Sequence, residues 1–595
     1  MTRGPVGRRA ALLSAGLVLA AVPAPGAVAA QGPAPVVKAA PGKRTGPAPK
    51  TVTLVTGDKV TVTDLGHGKE TATVERPPGA TGAVRTQTSD GDLTVVPDEA
   101  LPYLRSGKLD RRLFDVSALI RQGLADTRAT SLPLIVGYGK GTRVPAAAPA
   151  GTTRTRSLPS LRGAAVEAGK GRTFWRSFTR GDGVDKVWLD GRVKADMAES
   201  NAQIGTPAAW DAGLTGKGVT VAVLDSGADL THPDLVDRIS RSKSFIDGEE
   251  VADRDGHGTH VTSTVGGSGA ASDGKEKGVA PDATLAVGKV LDDEGSGSES
   301  QIIAGMEWAA RDVHARIVSM SLGSSDPSDG TDPMSQALDS LSQETGALFV
   351  VAAGNTGAPS SISSPGAADA ALTVGAVDSS DQPAYFTSAG PRAGDDALKP
   401  DLSAPGVDIL AARSQLTDGS GYYTTMSGTS MATPHVAGVA ALLAQEHPDW
   451  TGAQVKDALM STSRQLGVSA YTVGAGRVSV PDAVRATVTA TGSADLGFYR
   501  WPYPADKPVT RTLTYTNSSD QPVHLTLSAQ DAPDGVATLA DSALTVPAHG
   551  TATTTVTGDG SKAPVGTTSG QIVATDDTGA VRAHTVFGLV KEDER

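Results

Sequence analysis

The sequence predicts a doubly wound α/β fold, a parallel sheet with helices on both faces, for the largest part of the chain. The apolar runs at 219–224 and 348–352 lack alternation, as expected of strands that are buried on both faces. Helix-like segments alternate with such runs over about 200–487, which indicates crossover connections. In this class of sheet, ligands bind beyond the carboxyl ends of the strands.

The elements of this region can be predicted in chain order. Strands are expected at 219–224, 283–290, 317–322, 348–352 and 372–377. Helices are expected at 257–265, 300–313 and 334–344, and a further long helix begins at Ser430. Because this last helix carries a continuous apolar run, it should be buried.

Two other regions flank the α/β part. Residues 51–195 are predicted to form a small α/β unit, in which the Pro-, Ala- and Arg-rich stretch 144–162 is exposed to proteolysis. After the α/β part, short alternating strands separated by turns predict a β-sandwich at 490–595. The strands expected in the first unit are 51–55 and 59–63, as a hairpin, with 131–138 and 183–189.

The first residues predict export. Arginines precede an apolar run at 10–22, and small residues at 27–30 form a cleavage site. The run is too short to span a bilayer, so we expect a signal peptide at 1–30, no membrane span and a secreted, extracellular protein. Residues 31–50 are rich in Pro, Ala and Gly and are expected to be a linker.

The composition excludes several classes of function. A formal net charge of −12 argues against nucleic acid as a partner, because polyanions bind basic surfaces. The chain has no cysteine, which excludes thiol redox chemistry and cysteine-ligated zinc.

Four polar residues stand at predicted junctions between strands and helices. Asp225 and Asn355 each follow an apolar strand, and His257 lies between two glycines. Ser430 begins the long helix, where unpaired N–H groups favour negative charge. Each residue alone is more simply a cap or a turn residue.

Together these residues predict catalysis by a nucleophilic serine. The order Asp, His, Ser, with an asparagine before the serine, is a known order of the serine triad. An α/β-hydrolase would need Gly-x-Ser-x-Gly and a serine that precedes the acid and the histidine, so that alternative fails. His260 suggests a metal pair with His257, but without a third nearby ligand we interpret it as structural.

Four motifs carry a family resemblance: Val-Leu-Asp-Ser-Gly (223–227), His-Gly-Thr-His-Val (257–261), Ala-Ala-Gly-Asn (352–355) and Gly-Thr-Ser-Met-Ala-Thr-Pro-His-Val-Ala-Gly (428–438). Over about 200–487 the chain resembles the subtilases, the subtilisin-like (S8-type) serine endopeptidases. The resemblance implies a subtilisin-like fold, protein and peptide substrates, and an acyl-enzyme.

The resemblance also implies the role of each residue. Ser430 would be the nucleophile, His257 the general base and then acid, and Asp225 the group that orients the imidazole. Asn355 and the Ser430 N–H would form the oxyanion hole. The segments that match substrate-binding strands are Gly295, Ser296 and Gly297, and Ser321, Leu322 and Gly323.

By the same resemblance, residues 51–195 would be a propeptide, with its inhibitor-like part at about 130–195. It would assist folding and block the cleft as an intramolecular inhibitor until the zymogen cuts itself between 187 and 204. The chemistry requires no cofactor, but many subtilases hold structural calcium. Asp234 is a possible ligand, although few other oxygen ligands can be named near it. We expect a monomer.

A second hypothesis is a binding protein, in which 490–595 binds a surface or a carbohydrate and 200–487 is a degenerate scaffold. The intact set of four polar residues argues against it. Labelling with a fluorophosphonate distinguishes the two hypotheses, because only an activated serine reacts.

Overall fold

The structure is a computed structural model that describes residues 49–594, with gaps at 65–69, 90–91, 140–143, 146, 182, 196–199 and 504–506. The predicted signal peptide and nearly all of the predicted linker lie outside the described residues. Among the described residues, no helix combines the length and the apolar composition that crossing a bilayer requires.

The region before residue 200 surrounds one apolar core. Its strands are β1 Lys50–Thr53, β2 Lys59–Asp64, β3 Glu70–Glu75, β4 Val84–Ser89, β5 Asp92–Pro97, β6 Ser131–Tyr138, β7 Thr152–Leu158, β8 Gly163–Gly169, β9 Val184–Leu189 and β10 Arg192–Ala195. Its helices are α1 Leu101–Arg105, α2 Val116–Arg121 and α3 Arg172–Arg180. Strands β7, β8, β6 and β9 form an antiparallel sheet in that order. The apolar core of this region also contains three aromatic residues of α3, namely Phe174, Trp175 and Phe178.

The predicted hairpin (β1 and β2) and the predicted strands at 131–138 and 183–189 are confirmed. The expectation of an exposed stretch at 144–162 holds for side chains such as Thr153, Thr155 and Ser157, but the backbone of 152–158 is a paired strand. Strand β7 pairs with β8 along its length, and Leu158 is buried. Two of its arginines are half-buried and bond to carbonyl oxygens: Arg154 donates to Pro145 O at 2.7 Å, and Arg156 donates to Phe245 O at 3.0 Å.

The central region is built on a parallel sheet. Its strands are β11 Thr220–Asp225, β12 Ile239–Ser244, β13 Thr284–Lys289, β14 Ser296–Ser298, β15 Ile317–Met320, β16 Leu322–Ser324, β17 Leu348–Ala352, β18 Leu372–Val377, β19 Leu402–Pro405, β20 Ile409–Ala412 and β21 Tyr423–Met426. Seven of them form the parallel sheet in the order β12-β13-β11-β15-β17-β18-β19. The strand predicted at 317–322 is divided, because β15 ends at Met320 and Leu322 begins β16 in a different sheet.

Helices cover both faces of this sheet, which confirms the doubly wound prediction. They are α4 Asn201–Ile204, α5 Pro207–Asp211, α6 His257–Gly266, α7 Glu299–Glu307, α8 Pro333–Thr345, α9 Thr429–Glu446, α10 Gly452–Ser461, α11 Ala470–Val473 and α12 Val480–Arg485. Val221 and Val223 of β11 pack in one core with α6 and α9. Ala222 and Leu224, on the opposite face, pack with α7 and α8. A π-helical turn, Trp308–Asp312, continues α7 over the rest of the predicted helix.

The last region consists of β-strands in two sheets. The strands are β22 Val488–Ala490, β23 Ser493–Tyr499, β24 Val509–Asn517, β25 Val523–Gln530, β26 Ala537–Leu539, β27 Ala543–Val546, β28 Gly550–Gly558, β29 Gly566–Asp576 and β30 Val581–Lys591. One sheet has the order β22-β24-β28-β26 and the other the order β23-β30-β29-β25-β27. Leu513 and Tyr515 of the first sheet share a core with Phe587 of the second.

Candidate active site

Asp225 and His257 meet at the carboxyl edge of the parallel sheet. Asp225 is the last residue of β11, and His257 is the first residue of α6. The Asp225 Oδ1 atom lies 2.6 Å from His257 Nδ1, and both side chains are buried. Because a carboxylate only accepts hydrogen bonds, Nδ1 is the donor. The proton on Nδ1 leaves Nε2 as the basic nitrogen of the neutral ring.

Glycines allow this close approach. A Cβ atom at Gly258 would lie 2.1 Å from the Gly227 carbonyl oxygen. Gly227 itself has φ +109°, and its Cβ would lie 2.1 Å from Val251 O. The chain after Asp225 therefore packs directly against the start of α6, which sets the separation of the acid and the imidazole.

A second buried carboxylate organises the same junction. Asp253 accepts hydrogen bonds from the Ser226 hydroxyl at 2.9 Å and from the Gly256 N–H at 2.8 Å. It also accepts from the N–H and hydroxyl of Thr259 in α6. The pattern of the sequence alone did not reveal Asp253, since an acidic residue in a polar loop gives no distinct signal.

Ser430 and Asn355 stand at the amino end of α9. Ser430 is the second residue of this helix and is almost fully buried. The Thr429 N–H donates to Asn355 Oδ1 at 2.8 Å, and the Thr429 hydroxyl donates to the same oxygen at 3.1 Å. With its oxygen held in this way, the amide of Asn355 keeps its NH₂ group as a donor.

Two short strands flank a third strand from the first region. Strand β10 pairs antiparallel with β14 on one side and with β16 on the other. Lys194 is paired with Ser296 and with Gly323, so extended backbone lies between the two segments. A Cβ atom at Gly297 would lie 2.1 Å from Val290 O, which explains the glycine there.

The predicted substrate segments are displaced by one residue from these strands. Ser296, Gly297, Leu322 and Gly323 belong to β14 and β16. Gly295 lies in the turn before β14. The Ser321 hydroxyl is buried and donates to the Ser430 carbonyl, so it supports the start of α9. Ser298 and Ser324 complete the two strands but carry no motif that marks them.

Comparison with known proteins identifies the family of the chain. A sequence model described as the subtilase family (Peptidase_S8) matches residues 216–477. Subtilisin E of Bacillus subtilis (strain 168) is 42% identical over 289 residues, which are 48% of this chain and 70% of subtilisin E. The chain belongs to the subtilase family. It is therefore a serine-type endopeptidase with a subtilisin-like α/β fold.

Other subtilases match to a similar extent. Subtilisin Savinase of Lederbergia lenta is 41% identical over 286 residues, which are 48% of this chain and 97% of that protein. Serine protease AprX of Bacillus subtilis (strain 168) is 39% identical over 331 residues, or 51% of this chain and 74% of AprX.

His260 of this subtilase makes its hydrogen bond outside the Asp225–His257 pair. It is fully buried, and its Nε2 lies 3.2 Å from Ile409 O on strand β20. Burial lowers the pKa of His260 to about 3, which keeps the ring neutral. Within the described ranges, no group of three or more His, Cys, Asp or Glu side chains is placed to hold a metal ion.

Asp234 does not fit a calcium ligand. One carboxylate oxygen accepts from the Ala271 N–H at 2.8 Å, and the other accepts from the Tyr423 hydroxyl at 2.8 Å. Calcium requires six or more oxygens, and among the described residues Asp234 belongs to no group of three or more His, Cys, Asp or Glu side chains that could hold a metal ion. Asp234 instead joins the loop after α6 to strand β21.

The buried His435 of α9 predicts a loss of stability in acid. Its Nδ1 donates to Met431 O at 2.8 Å, and Ser200 N–H donates to Nε2 at 2.9 Å. Burial lowers the pKa of His435 to about 4, below the value of about 6.5 in an unfolded chain. The unfolded chain therefore binds the proton more tightly, and the stabilising difference disappears as pH falls through this interval.

We expect His435→Gln, in a Ser430→Ala background that prevents self-digestion, to remove this part of the pH dependence. Between pH about 6 and about 4.5, the free energy of unfolding should fall by about 1.4 kcal/mol per pH unit less steeply in the variant. Urea unfolding at several pH values measures the two slopes. Parallel curves for the two proteins would contradict the assignment.

Proposed function

We propose that this subtilase is secreted, that it is made as a zymogen and that Asp225, His257 and Ser430 form its catalytic triad. The observation that carries the assignment is the buried hydrogen bond between His257 Nδ1 and Asp225, at the carboxyl end of β11. An acid and a base that are held in this way activate a serine at a helix amino end.

In this proposal the His257 Nε2 atom takes the proton of the Ser430 hydroxyl as Ser430 Oγ attacks the substrate carbonyl. The imidazolium is stabilised by Asp225 and then protonates the leaving amine, which leaves an acyl-enzyme. Water enters by the same route and releases the acid. The Asn355 NH₂ group and the Ser430 N–H donate to the oxyanion in both steps.

Substrate would bind as an added strand between β14 and β16. Strand β10 already occupies that position through main-chain pairing with both neighbours. Main-chain pairing of this kind does not depend on the side chains of the substrate, which supports cleavage of many protein sequences.

The same contact supports a propeptide at 51–195. Beside β10, the buried Glu299 at the start of α7 forms an ion pair with Arg112. Asp190 accepts a hydrogen bond from the Ser300 N–H at 2.9 Å in the same turn of α7. The region thus caps a helix of the enzyme and fills its cleft, as an intramolecular inhibitor would.

We place the maturation bond between 195 and 201, within the wider interval of 187–204. Strand β10 ends at Ala195 in the cleft. The Asn201 side chain already donates to Lys277 O of the enzyme part at 2.8 Å. The two sheets after residue 487 would form a β-sandwich module, and the mature enzyme would act outside the cell as a monomer without a cofactor.

Ser430→Ala tests the proposal. We expect a folded, secreted precursor of full mass after the signal peptide, with no cleavage of casein, because the nucleophile is missing. The N-terminus of wild-type enzyme from the medium should lie between 195 and 201. Normal processing or normal casein cleavage by the variant would refute the triad.

The Arg112–Glu299 pair gives a test of the propeptide. In Ser430→Ala precursor digested with mature enzyme, Arg112→Ala should speed removal of the 51–195 region by about tenfold or more. Removal should be faster because Arg112→Ala leaves the buried Glu299 carboxylate without its positively charged partner, which weakens the contact between the two regions. Arg111→Ala is the matched control, since Arg111 is exposed, and it should leave the rate unchanged. Equal rates for both variants would show that the pair does not hold the inhibitor in place.

A further inference from the structure

A buried lysine stands beside the triad acid. Lys289 is the last residue of β13 and is paired in register with Asp225, the last residue of β11. Its side chain is fully buried. The Nζ atom donates to Ser226 O at 2.7 Å and to Asp293 Oδ1 at 2.8 Å, and it lies 3.3 Å from Glu249 Oε2. The ammonium therefore joins two loops to the residue that follows Asp225.

Ser226 is the main support of the Asp225 carboxylate. Its N–H donates to Asp225 Oδ1 at 2.8 Å, and its hydroxyl lies 3.3 Å from the same oxygen. The other oxygen, Oδ2, is buried and accepts no hydrogen bond from the described residues. Apart from His257, the orientation of the carboxylate thus depends on where Ser226 is held.

Ser226 also connects the acid to the imidazole helix. The Gly258 N–H donates to the Ser226 hydroxyl at 2.9 Å, and that hydroxyl bonds to Asp253. Its carbonyl oxygen faces the Lys289 ammonium. A shift of Ser226 would move Asp225 and the first turn of α6 relative to one another.

We propose that Lys289 is a positioning residue for the triad, which rests on the proposed roles of Asp225 and His257. Its ammonium fixes the Ser226 carbonyl, and through Ser226 it fixes the Asp225–His257 hydrogen bond. Its positive charge also offsets part of the negative charge of the surrounding carboxylates, and that negative charge stabilises the His257 imidazolium. The charged groups on the surrounding elements are Glu249, Asp293 and Arg254 around the ammonium, and Asp225, Asp253 and Asp255 around His257.

The test is Lys289→Met in the mature enzyme, which keeps an unbranched side chain one atom shorter and removes its charge. We expect kcat to fall about tenfold or more, since small displacements of catalytic groups have large effects, while KM stays within about twofold. Loss of a nearby positive charge favours the imidazolium. The acidic limb of the kcat/KM profile should therefore move to higher pH by roughly half a unit.

Lys399→Met is the matched control. Lys399 is also buried, and its Nζ also donates to a carbonyl, Ala371 O, and to a carboxylate, Asp401. It contacts none of the residues around His257, so the variant should lose stability but keep kcat and the acidic limb. If the two methionine variants change kcat and the limb alike, the role of Lys289 is only structural and the proposal is wrong.

Asp293→Asn is the variant to use if Lys289→Met does not fold. Because the Asp293 side chain is partly exposed, this substitution should disturb folding less. It removes a negative charge, so the acidic limb should move to lower pH, and kcat should fall severalfold as the ammonium loses a partner. An unchanged limb and kcat would overturn the proposal. Fluorophosphonate labelling of Ser430 in the wild-type enzyme separates this outcome from failure of the triad itself, which would leave Ser430 unlabelled.

Discussion

The hydrogen bond between Asp225 and His257 is the constraint on which the arrangement of the active site depends. It requires the carboxyl end of β11 and the amino end of α6 to lie within contact of each other. Gly227 and Gly258 permit that approach, and the buried Asp253 and Ser226 fix it through hydrogen bonds. Much of the polar structure near this edge of the sheet serves to hold one short distance.

Helix α9 connects this site to the hydrophobic core. Its first turn carries Ser430, and the following turns pack against the parallel sheet in the same core as Val221 and Val223 of β11. The position of the nucleophile is thus set by the packing of a buried helix, while Asp225 is set by the strand beneath it. Both belong to rigid elements, which is the condition for precise catalytic geometry.

The main elements of the α/β region followed from apolar periodicity. Residues 348–352 and 372–377 were predicted as strands with the observed bounds, because continuous apolar runs have few alternatives at that length. The bounds differ at 317–322, because the chain leaves the parallel sheet after Met320 and Leu322 begins a strand of another sheet. The β7 strand is not predicted because it consists of Thr, Arg and Ser with one apolar residue, Leu158, and so shows no apolar alternation.

The candidate site could be predicted only in part for the same reason. Asp225, His257, Asn355 and Ser430 follow recognisable motifs, so their positions could be named before any contact was known. Ser298 and Ser324 become part of the cleft only through pairing with β10. Asp234 has a contact that the sequence does not reveal, since the hydroxyl of Tyr423, 189 residues further along the chain, donates to its carboxylate. Lys289 carries no motif, and its importance follows only from its contact with Ser226.

The central claim is that the Asp225–His257 pair activates Ser430. The most direct test is the rate at which a fluorophosphonate labels Ser430 in the mature enzyme as a function of pH, with the adduct located by peptide mapping. We predict a single adduct on Ser430, a rate that rises with one deprotonation, and a loss of labelling in His257→Ala. A variant that is labelled at the wild-type rate, or an adduct on another serine, would contradict the account.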